Sequence, residues 1–573
     1  MEERRSTDRR NIWIAVAVVT GAMALVWPFA KLSYGDDTAF SHVALVLART
    51  GHFAYNCWES MLLVGHAAWG ALFIRAFGFS FDCLRLSTLP FALGSVALTY
   101  VLTKRMGLSS EKAFFVTMLL GLSPLFLPVA VSYMTDVPSL FFTFASFYLF
   151  VRAAEASSDG KALGWIVFGS VVGYLGGLNR QSVWFAPLVL LPHLAWLRRK
   201  RWIGIAAAVS WILVVVGVVL TTAWFNSQPY VYFQPSLTGE IVKAIHNPVK
   251  QVDLVARLLL MLVLLCLPAA LPLLVKSTSE TIVGSWLRKL LVLVPLFAVI
   301  AAVVIHPSLA SIPWASNTLN WEGIFGAAPL PGRPIVLIRP VRAVVAMIIY
   351  IAVCLLAGEL TRFRESMQRA WTILLDRDGS HFSLASMTQL NAVYFTLFVI
   401  RGVDFDLFDR YLIPIIPWVA TIFLLWLGSD EQSETIWRKS KPFAWALLIV
   451  LGSYGVANTQ DMWALARARV TAAEKLESAG VSRTEIDAAF EYNGWTQLMA
   501  TGRLNSHWVK NPPNAYVPGE TETPVVVPKY RLEYELTPET EPSEYSSVPY
   551  FSFLPPYGKA VRIDRIKKLE SKR

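Results

Sequence analysis

The sequence has few charged side chains for its length. Only 16% of its 573 residues are Asp, Glu, Lys or Arg, whereas 55% are hydrophobic. A soluble globular protein carries about 25% charged residues, so the composition excludes that class. It indicates a protein that crosses a membrane several times.

Cysteine is scarce as well, and its four positions have no metal-binding spacing. Cys57, Cys83, Cys266 and Cys354 form no CxxC pair, so the pattern does not predict a structural zinc site. Cys57 and Cys83 fall in one predicted external loop, where we expect unpaired thiols, with a disulfide as the alternative.

Two further features are missing from the sequence. No internal repeat is recognisable, which counts against a transporter because many transporter folds are built from repeats. The net charge of +11 is not gathered into a nucleic-acid-binding patch. Its Lys and Arg residues form short clusters between apolar runs, the pattern that orients a protein in a bilayer. We therefore expect no nucleic-acid partner.

Apolar runs of the length of a membrane span recur along the chain. A transmembrane helix needs about 20 predominantly apolar residues, and about 13 runs qualify. The predicted spans are residues 12–31, 86–104, 112–131, 135–152, 162–178, 183–197, 202–224, 252–275, 287–305, 341–360, 386–401, 411–428 and 442–459. The fold class expected is an all-α polytopic membrane protein.

The basic clusters set the expected orientation. They precede span one, separate spans two from three and six from seven, follow span ten and precede span thirteen. Their members are Arg4, Arg5, Arg9, Arg10, Lys104, Arg105, Lys112, residues 198–201, Arg362, Arg364, Arg369, Arg438, Lys439 and Lys441. By the positive-inside rule this side is cytoplasmic. The N-terminus is then inside and, with an odd number of spans, the C-terminus outside.

The same reasoning divides the chain into three regions. Residues 1–11 form a cytoplasmic N-terminus, 12–460 the transmembrane domain, and 461–573 an external C-terminal α+β domain or tail with short strands and turns. The first external loop, 32–85, contains stretches 38–50 and 61–77, which we expect to be interfacial helices. For 61–77, a membrane span is the alternative.

Two groups of acids are the candidates for chemistry. Asp36 and Asp37 follow span one on the external side, where one could act as a general base and the other orient the substrate. Asp136 lies at the external end of span four and could position an acceptor or, with Asp36, hold a divalent cation. The alternative for all three is helix N-capping.

Four arginines are expected on the same face: Arg180, Arg333, Arg401 and Arg410, the last two flanking Asp404, Asp406 and Asp409. The planar guanidinium suits phosphate oxygens, although each could instead be an interface anchor or a structural ion pair. Acids that accept a proton, together with cations that hold phosphate, predict transfer from a phosphate-linked lipid. Fixed cations would stabilise the charge that grows on the leaving phosphate.

Three motifs in this order resemble a known group. They are Gly35-Asp36-Asp37-Thr38 after span one, Thr135-Asp136-Val137-Pro138 at span four, and Asp409-Arg410-Tyr411-Leu412-Ile413-Pro414. Over roughly residues 10–460 the chain is similar to the GT-C superfamily of membrane glycosyltransferases. Within it, the chain resembles the protein O-mannosyltransferase and lipid A aminoarabinose transferase branch.

The resemblance implies a GT-C-like fold and inverting transfer of a hexosyl or pentosyl group from a polyprenyl-phosphate sugar. The acceptor would be a glycan, lipid or protein at the external face, which is periplasmic in a bacterium. Asp36 matches the catalytic acid, Asp136 the second acidic position and Arg410 a cation near the donor phosphate. The rival hypotheses are a transporter or flippase of a lipid-linked glycan and a membrane scaffold with a recognition tail.

Overall fold

The computed structural model describes residues 2–233, 237–305, 317–326, 330–359, 381–402 and 407–567. The arginines predicted to follow span ten, at 362, 364 and 369, lie outside these ranges. The described chain is mostly helical, with one small sheet near its C-terminal end. Its four cysteines are free thiols.

The helices follow the apolar runs closely. They are α1 (Glu2–Leu25), α2 (Asp37–Thr50), α3 (Val64–Phe77), α4 (Phe81–Arg105), α5 (Ser110–Gly121), α6 (Phe126–Ala130), α7 (Asp136–Ala154), α8 (Asp159–Gly177), α9 (Phe185–Leu197), α10 (Trp202–Ser227), α11 (Leu237–His246), α12 (Pro248–Val283), α13 (Trp286–Ile305), α14 (Arg339–Ala357), α15 (Phe382–Arg401), α16 (Ile416–Leu427), α17 (Glu431–Ser478) and α18 (Phe490–Thr501). Each predicted span overlaps at least one of them.

The chain is a multi-pass membrane protein, but the predicted count of 13 spans is not confirmed. Among the described residues, seven helices are long and apolar enough to cross a membrane: α4, α7, α10, α12, α14, α15 and α17. The other overlapping helices include short ones such as α16, which has 12 residues. At 1.5 Å per residue it is about 18 Å long, against a hydrocarbon core of about 30 Å.

The first loop contains two packed helices. Helix α2 lies between α3 and α18, and its residues from Asp37 to Leu45 are buried. It ends at Gly51, whose φ of +74° is the left-handed conformation that glycine adopts without strain. Helix α3 has 14 residues, about 21 Å at 1.5 Å per residue, which favours the interfacial interpretation of 61–77 over a span.

The last long helix leads directly into a folded tail. Helix α17 runs unbroken through the boundary predicted at residue 460. The carboxylate of Asp461 accepts hydrogen bonds from the backbone N–H groups of Phe553 (2.6 Å) and Leu554 (3.0 Å). These bonds fasten the tail to the helix.

The short strands predicted in the region 461–573 are present and form a small sheet. They are β2 (Tyr530–Glu533), β3 (Thr540–Pro542), β4 (Val548–Pro549) and β5 (Ala560–Ile566), joined by β1 (Ile486–Asp487). The order is β1-β2-β5-β3, with β4 also paired to β5, and only the β1–β2 pair is parallel. The Leu532–Ile563 pair of β2 and β5 is buried in the core.

Candidate active site

Asp36 lies in the turn that begins α2. The turn needs Gly35, whose φ is +55°. Although Asp36 occupies the N-cap position, its side chain makes no capping hydrogen bond. Its Oδ1 accepts from Trp58 Nε1 at 3.0 Å and its Oδ2 from Arg410 Nη2 at 2.7 Å. The carboxylate is thus held from two sides.

Arg410 connects the two predicted acidic positions. It lies in a short 3₁₀ helix, Asp409–Leu412, between α15 and α16. Besides its bond to Asp36, its Nε is 3.7 Å from Asp136 Oδ2. Burial alone would lower the pKa of the guanidinium, but the carboxylates of Asp36 and Asp136 outweigh burial and raise it. Arg410 is therefore a permanently charged bridge between the two acids.

The turn that carries Arg410 is fixed by its neighbours. The buried carboxylate of Asp409 accepts from the backbone N–H groups of Thr318 (2.9 Å) and Leu319 (2.6 Å). The same loop supplies Asn317, whose Oδ1 accepts from Arg410 Nη1 at 2.5 Å. The guanidinium is pre-positioned before any ligand binds.

Asp136, the first residue of α7, also forms an ion pair with a second arginine, Arg180. Arg180 Nη1 donates to Asp136 Oδ1 at 2.8 Å and to Thr135 Oγ1 at 3.2 Å, and its guanidinium lies 4.6 Å from the ring centroid of Tyr411. Asp36, Arg410, Asp136 and Arg180 therefore alternate in charge along one row. We call these four residues the charge row.

The charge row borders a cavity of about 440 Å³, which is within the range of small-molecule sites. Asp36, Arg180 and Arg401 contribute to its lining, as do the aromatic residues Trp58, Phe185, Tyr232, Tyr394, Phe398, Phe408, Tyr411 and Trp508. A smaller adjoining cavity is lined by Asp136, Arg410 and, again, Arg180. The charged groups thus lie at the edge of a cavity whose lining residues are half aromatic.

Asp37 points away from this cavity. Its carboxylate accepts from the backbone N–H groups of Tyr34 (2.6 Å) and Tyr133 (3.1 Å), and it is not among the residues that line either cavity. Burial raises its pKa to about 7, with Arg85 opposing the shift. Asp37 ties the start of α2 to the segment before α7, and so fixes Asp36 relative to Asp136.

The two remaining predicted arginines, Arg401 and Arg333, differ in whether they reach the larger cavity. Arg401, at the end of α15, lines the larger cavity and pairs with Glu240 at 3.2 Å. Arg333 lines neither cavity; it pairs with Glu322 at 3.0 Å and donates to the Gly326 carbonyl at 3.1 Å, and so stabilises the loop that contains Asn317. Asp404 and Asp406 lie outside the described residues.

Most aromatic residues at the cavity were not predicted from the sequence, and Trp58, Tyr232 and Trp508 are among them. Trp58 follows from no motif, and Tyr232 and Trp508 belong to connections far apart in the chain. They come together because residues 230–233 form backbone hydrogen bonds with the tail, including an antiparallel bridge between Tyr232 and Val509. Such long-range pairing leaves no local signal in the sequence.

The residues present do not fit the divalent cation considered for Asp36 and Asp136. Within the described part of the chain, no group of three or more His, Cys, Asp or Glu side chains is arranged to hold a metal ion. Asp36 and Asp136 both face Arg410, whose positive charge occupies the space between them.

No protein-family model matches the chain, and no curated protein matches it. Among solved structures, it is similar to ArnT from Cupriavidus metallidurans in the apo state, with a TM-score of 0.39 and 13% identity over 82% of this chain and 72% of that one. It is also similar to the same protein bound to undecaprenyl phosphate, with a TM-score of 0.38 and 12% identity over 96% and 97%. These structures come from the branch that the sequence motifs resemble.

Proposed function

We propose that the protein is an inverting membrane glycosyltransferase, which transfers a sugar from a polyprenyl-phosphate donor to an acceptor hydroxyl beside Asp36. The observation that supports this most is the charge row at the edge of an aromatic cavity. It offers a fixed carboxylate for a proton and fixed guanidinium groups for a phosphate within one site.

The arginines would hold the donor phosphate. Arg410 is 6% exposed, and a phosphate oxygen would accept from its Nη2 in place of Asp36 Oδ2. Arg180 lines both cavities, and Arg401 lines the larger one. Negative charge grows on the phosphate as the sugar leaves, and preorganised cations in a buried site stabilise that charge without reorganising.

Asp36 would act as the general base. The acceptor oxygen attacks the anomeric carbon on the face opposite the phosphate, and its proton passes to Asp36. The bond between the anomeric carbon and the phosphate oxygen breaks, and its electron pair stays on the phosphate. One displacement of this kind inverts the anomeric centre. Asp136 would keep Arg410 and Arg180 in place, and Asp37 would position Asp36 through the backbone.

The orientation belongs to the same proposal. The basic clusters of the sequence favour a cytoplasmic N-terminus. Asp36, Arg180 and Arg410 come from connections that this topology puts on the other side, and Asp136 from the end of a span on that side. We therefore propose that the cavity opens at the external face, where a lipid-linked sugar would enter from the membrane.

Transfer by the purified protein in lipid nanodiscs tests the proposal. Labelled polyprenyl-phosphate sugars are supplied with a membrane extract as acceptor, and release of label from the lipid is measured. Asp36→Asn should abolish transfer and keep binding of undecaprenyl phosphate. Asp253→Asn, which changes an acid paired with Arg257 on the exposed surface of α12, is the control. Transfer by Asp36→Asn at the unchanged rate would overturn the assignment, and a lipid transporter would need no Asp36.

A further inference from the structure

The folded tail supplies part of the cavity wall. Trp508 reaches the cavity from the tail, held by two backbone hydrogen bonds to the loop after α10. The Phe233 N–H donates to the Trp508 carbonyl at 2.9 Å, and the Tyr230 N–H donates to the Asn511 carbonyl at 2.7 Å. Trp508 is thereby fixed in position at the cavity.

Trp508 is one of three aromatic residues whose rings lie next to one another along one side of the cavity. The ring centroids of Trp508 and Tyr232 are 6.4 Å apart, and those of Tyr232 and Trp58 are 6.2 Å apart. Trp58 is also the residue whose indole N–H donates to Asp36. We call Trp58, Tyr232 and Trp508 the aromatic wall; it begins at the proposed base and extends away from it.

The surroundings of the aromatic wall are acidic. Burial raises the pKa of Tyr232, a hydrogen bond with Ser506 opposes this shift, and the nearby carboxylates of Asp36 and Glu522 raise the pKa further. Both arginines that line the larger cavity pair with acids, Arg180 with Asp136 and Arg401 with Glu240, and Arg410 of the adjoining cavity pairs with Asp36. Beside Tyr232, an acceptor that carried its own negative charge would be repelled by Asp36 and Glu522.

Flat aromatic faces beside carboxylates are suited to one class of neutral ligand. The C–H face of a pyranose ring packs on an indole or phenol ring, and its hydroxyl groups donate to carboxylate oxygens. We propose that the aromatic wall is an acceptor subsite for a neutral pyranose, so that the acceptor is a glycan whose hydroxyl reaches Asp36. This inference rests on the proposed function and adds the class of acceptor to it.

Saturation-transfer NMR on the full-length protein in nanodiscs tests the subsite. The probes are the methyl pyranosides of glucose, galactose, mannose and N-acetylglucosamine, and undecaprenyl phosphate binding is followed on the same samples by native mass spectrometry. At least one glycoside should receive saturation at its ring protons. Trp508→Ala should weaken its binding about fivefold, and Trp508→Phe, which keeps a ring, less. Tyr557→Ala, an exposed tail residue, should bind it unchanged.

Different results would refute the acceptor subsite and the proposed function. If undecaprenyl phosphate binds but no methyl pyranoside does, or if Trp508→Ala binds the glycoside as well as the wild type, the acceptor subsite is refuted and the proposed function stands. Trp508-dependent saturation of glycerol phosphate or of a Ser/Thr peptide would refute it equally. If the wild type does not bind undecaprenyl phosphate, the proposed function itself fails. Should Trp508→Ala not fold, Trp508→Leu removes the ring while keeping apolar volume and makes the same distinction.

Discussion

Replacing Arg410 tests whether the charge row supports both stability and transfer. In Arg410→Gln, Asp36 and Asp136 lose the cation between them. Removing one partner of a buried ion pair costs about 3–5 kcal/mol because the other charge stays buried and uncompensated. Asp136 keeps its bond to Arg180 at 2.8 Å, and the Asp36 side chain is 26% exposed. We therefore expect the lower end of the range, about 3 kcal/mol.

Arg410→Lys separates charge from geometry. Arg410 uses three nitrogens toward three partners: Asp36, Asn317 and Asp136. A lysine ammonium is a single point of charge and cannot keep this arrangement. The variant should retain most of the stability and lose transfer by about 10²-fold, the effect of removing one preorganised donor to a developing charge.

The assays are thermal unfolding of the purified protein in detergent and release of label from the donor lipid. The double variant Asp36→Asn/Arg410→Gln is the control, since it removes both charges of one pair and leaves Asp136 with Arg180. It should unfold at a higher temperature than Arg410→Gln alone and still transfer nothing. Transfer by Arg410→Lys at the wild-type rate, or an unchanged unfolding temperature in Arg410→Gln, would refute the role given to the charge row.

Two further variants test neighbouring contacts. Burial raises the pKa of Glu59 to about 8 from its usual 4.5, so its carboxyl is neutral in the folded protein. Stability should fall as the pH rises from about 5 to 8, and Glu59→Gln should flatten this dependence in thermal unfolding; an equally steep profile in the variant would contradict it. Trp58→Phe removes the N–H that donates to Asp36 at 3.0 Å, and kcat should fall about tenfold, as expected for a hydrogen bond to a charged group. Undecaprenyl phosphate binding should not change, and an unaltered kcat would show that Trp58 does not position Asp36.

The sequence predicted the parts of the site that depend on position along the chain. Apolar runs located the helices, and the motifs around Asp36, Asp136 and Arg410 identified residues that are in fact neighbours in space. The direction of side chains was not predictable in this way. Adjacent residues in a helix point about 100° apart, so Asp37 could turn to backbone amides while Asp36 faces the cavity. Arg333 is directed to Glu322 by the fold of its loop, which no local pattern encodes.

Contacts between the tail and distant parts of the chain were not predictable from the sequence either. Short strands in the C-terminal region follow from its Pro-rich, Tyr-rich and acidic composition, and they are present. That Trp508 meets Tyr232 depends on backbone pairing between segments separated by several helices. Loop-to-loop pairing of this kind is decided by tertiary packing, so neither segment carries a recognisable pattern. The proposed acceptor subsite therefore rests on contacts in the structure and not on a sequence pattern.

Asp36 and the donor phosphate would compete for the same guanidinium. Asp36 Oδ2 lies 2.7 Å from Arg410 Nη2, a charge-assisted hydrogen bond worth about 1.5–3 kcal/mol. A phosphate that binds Arg410 displaces this bond and frees the carboxylate to take the acceptor proton, so donor binding would prepare the base. Asp36→Asn removes the competing charge and should therefore bind undecaprenyl phosphate more tightly, by roughly tenfold. Native mass spectrometry measures undecaprenyl phosphate binding by Asp36→Asn, with Asp253→Asn as the control. Unchanged or weaker binding would mean that Asp36 and the phosphate do not share Arg410.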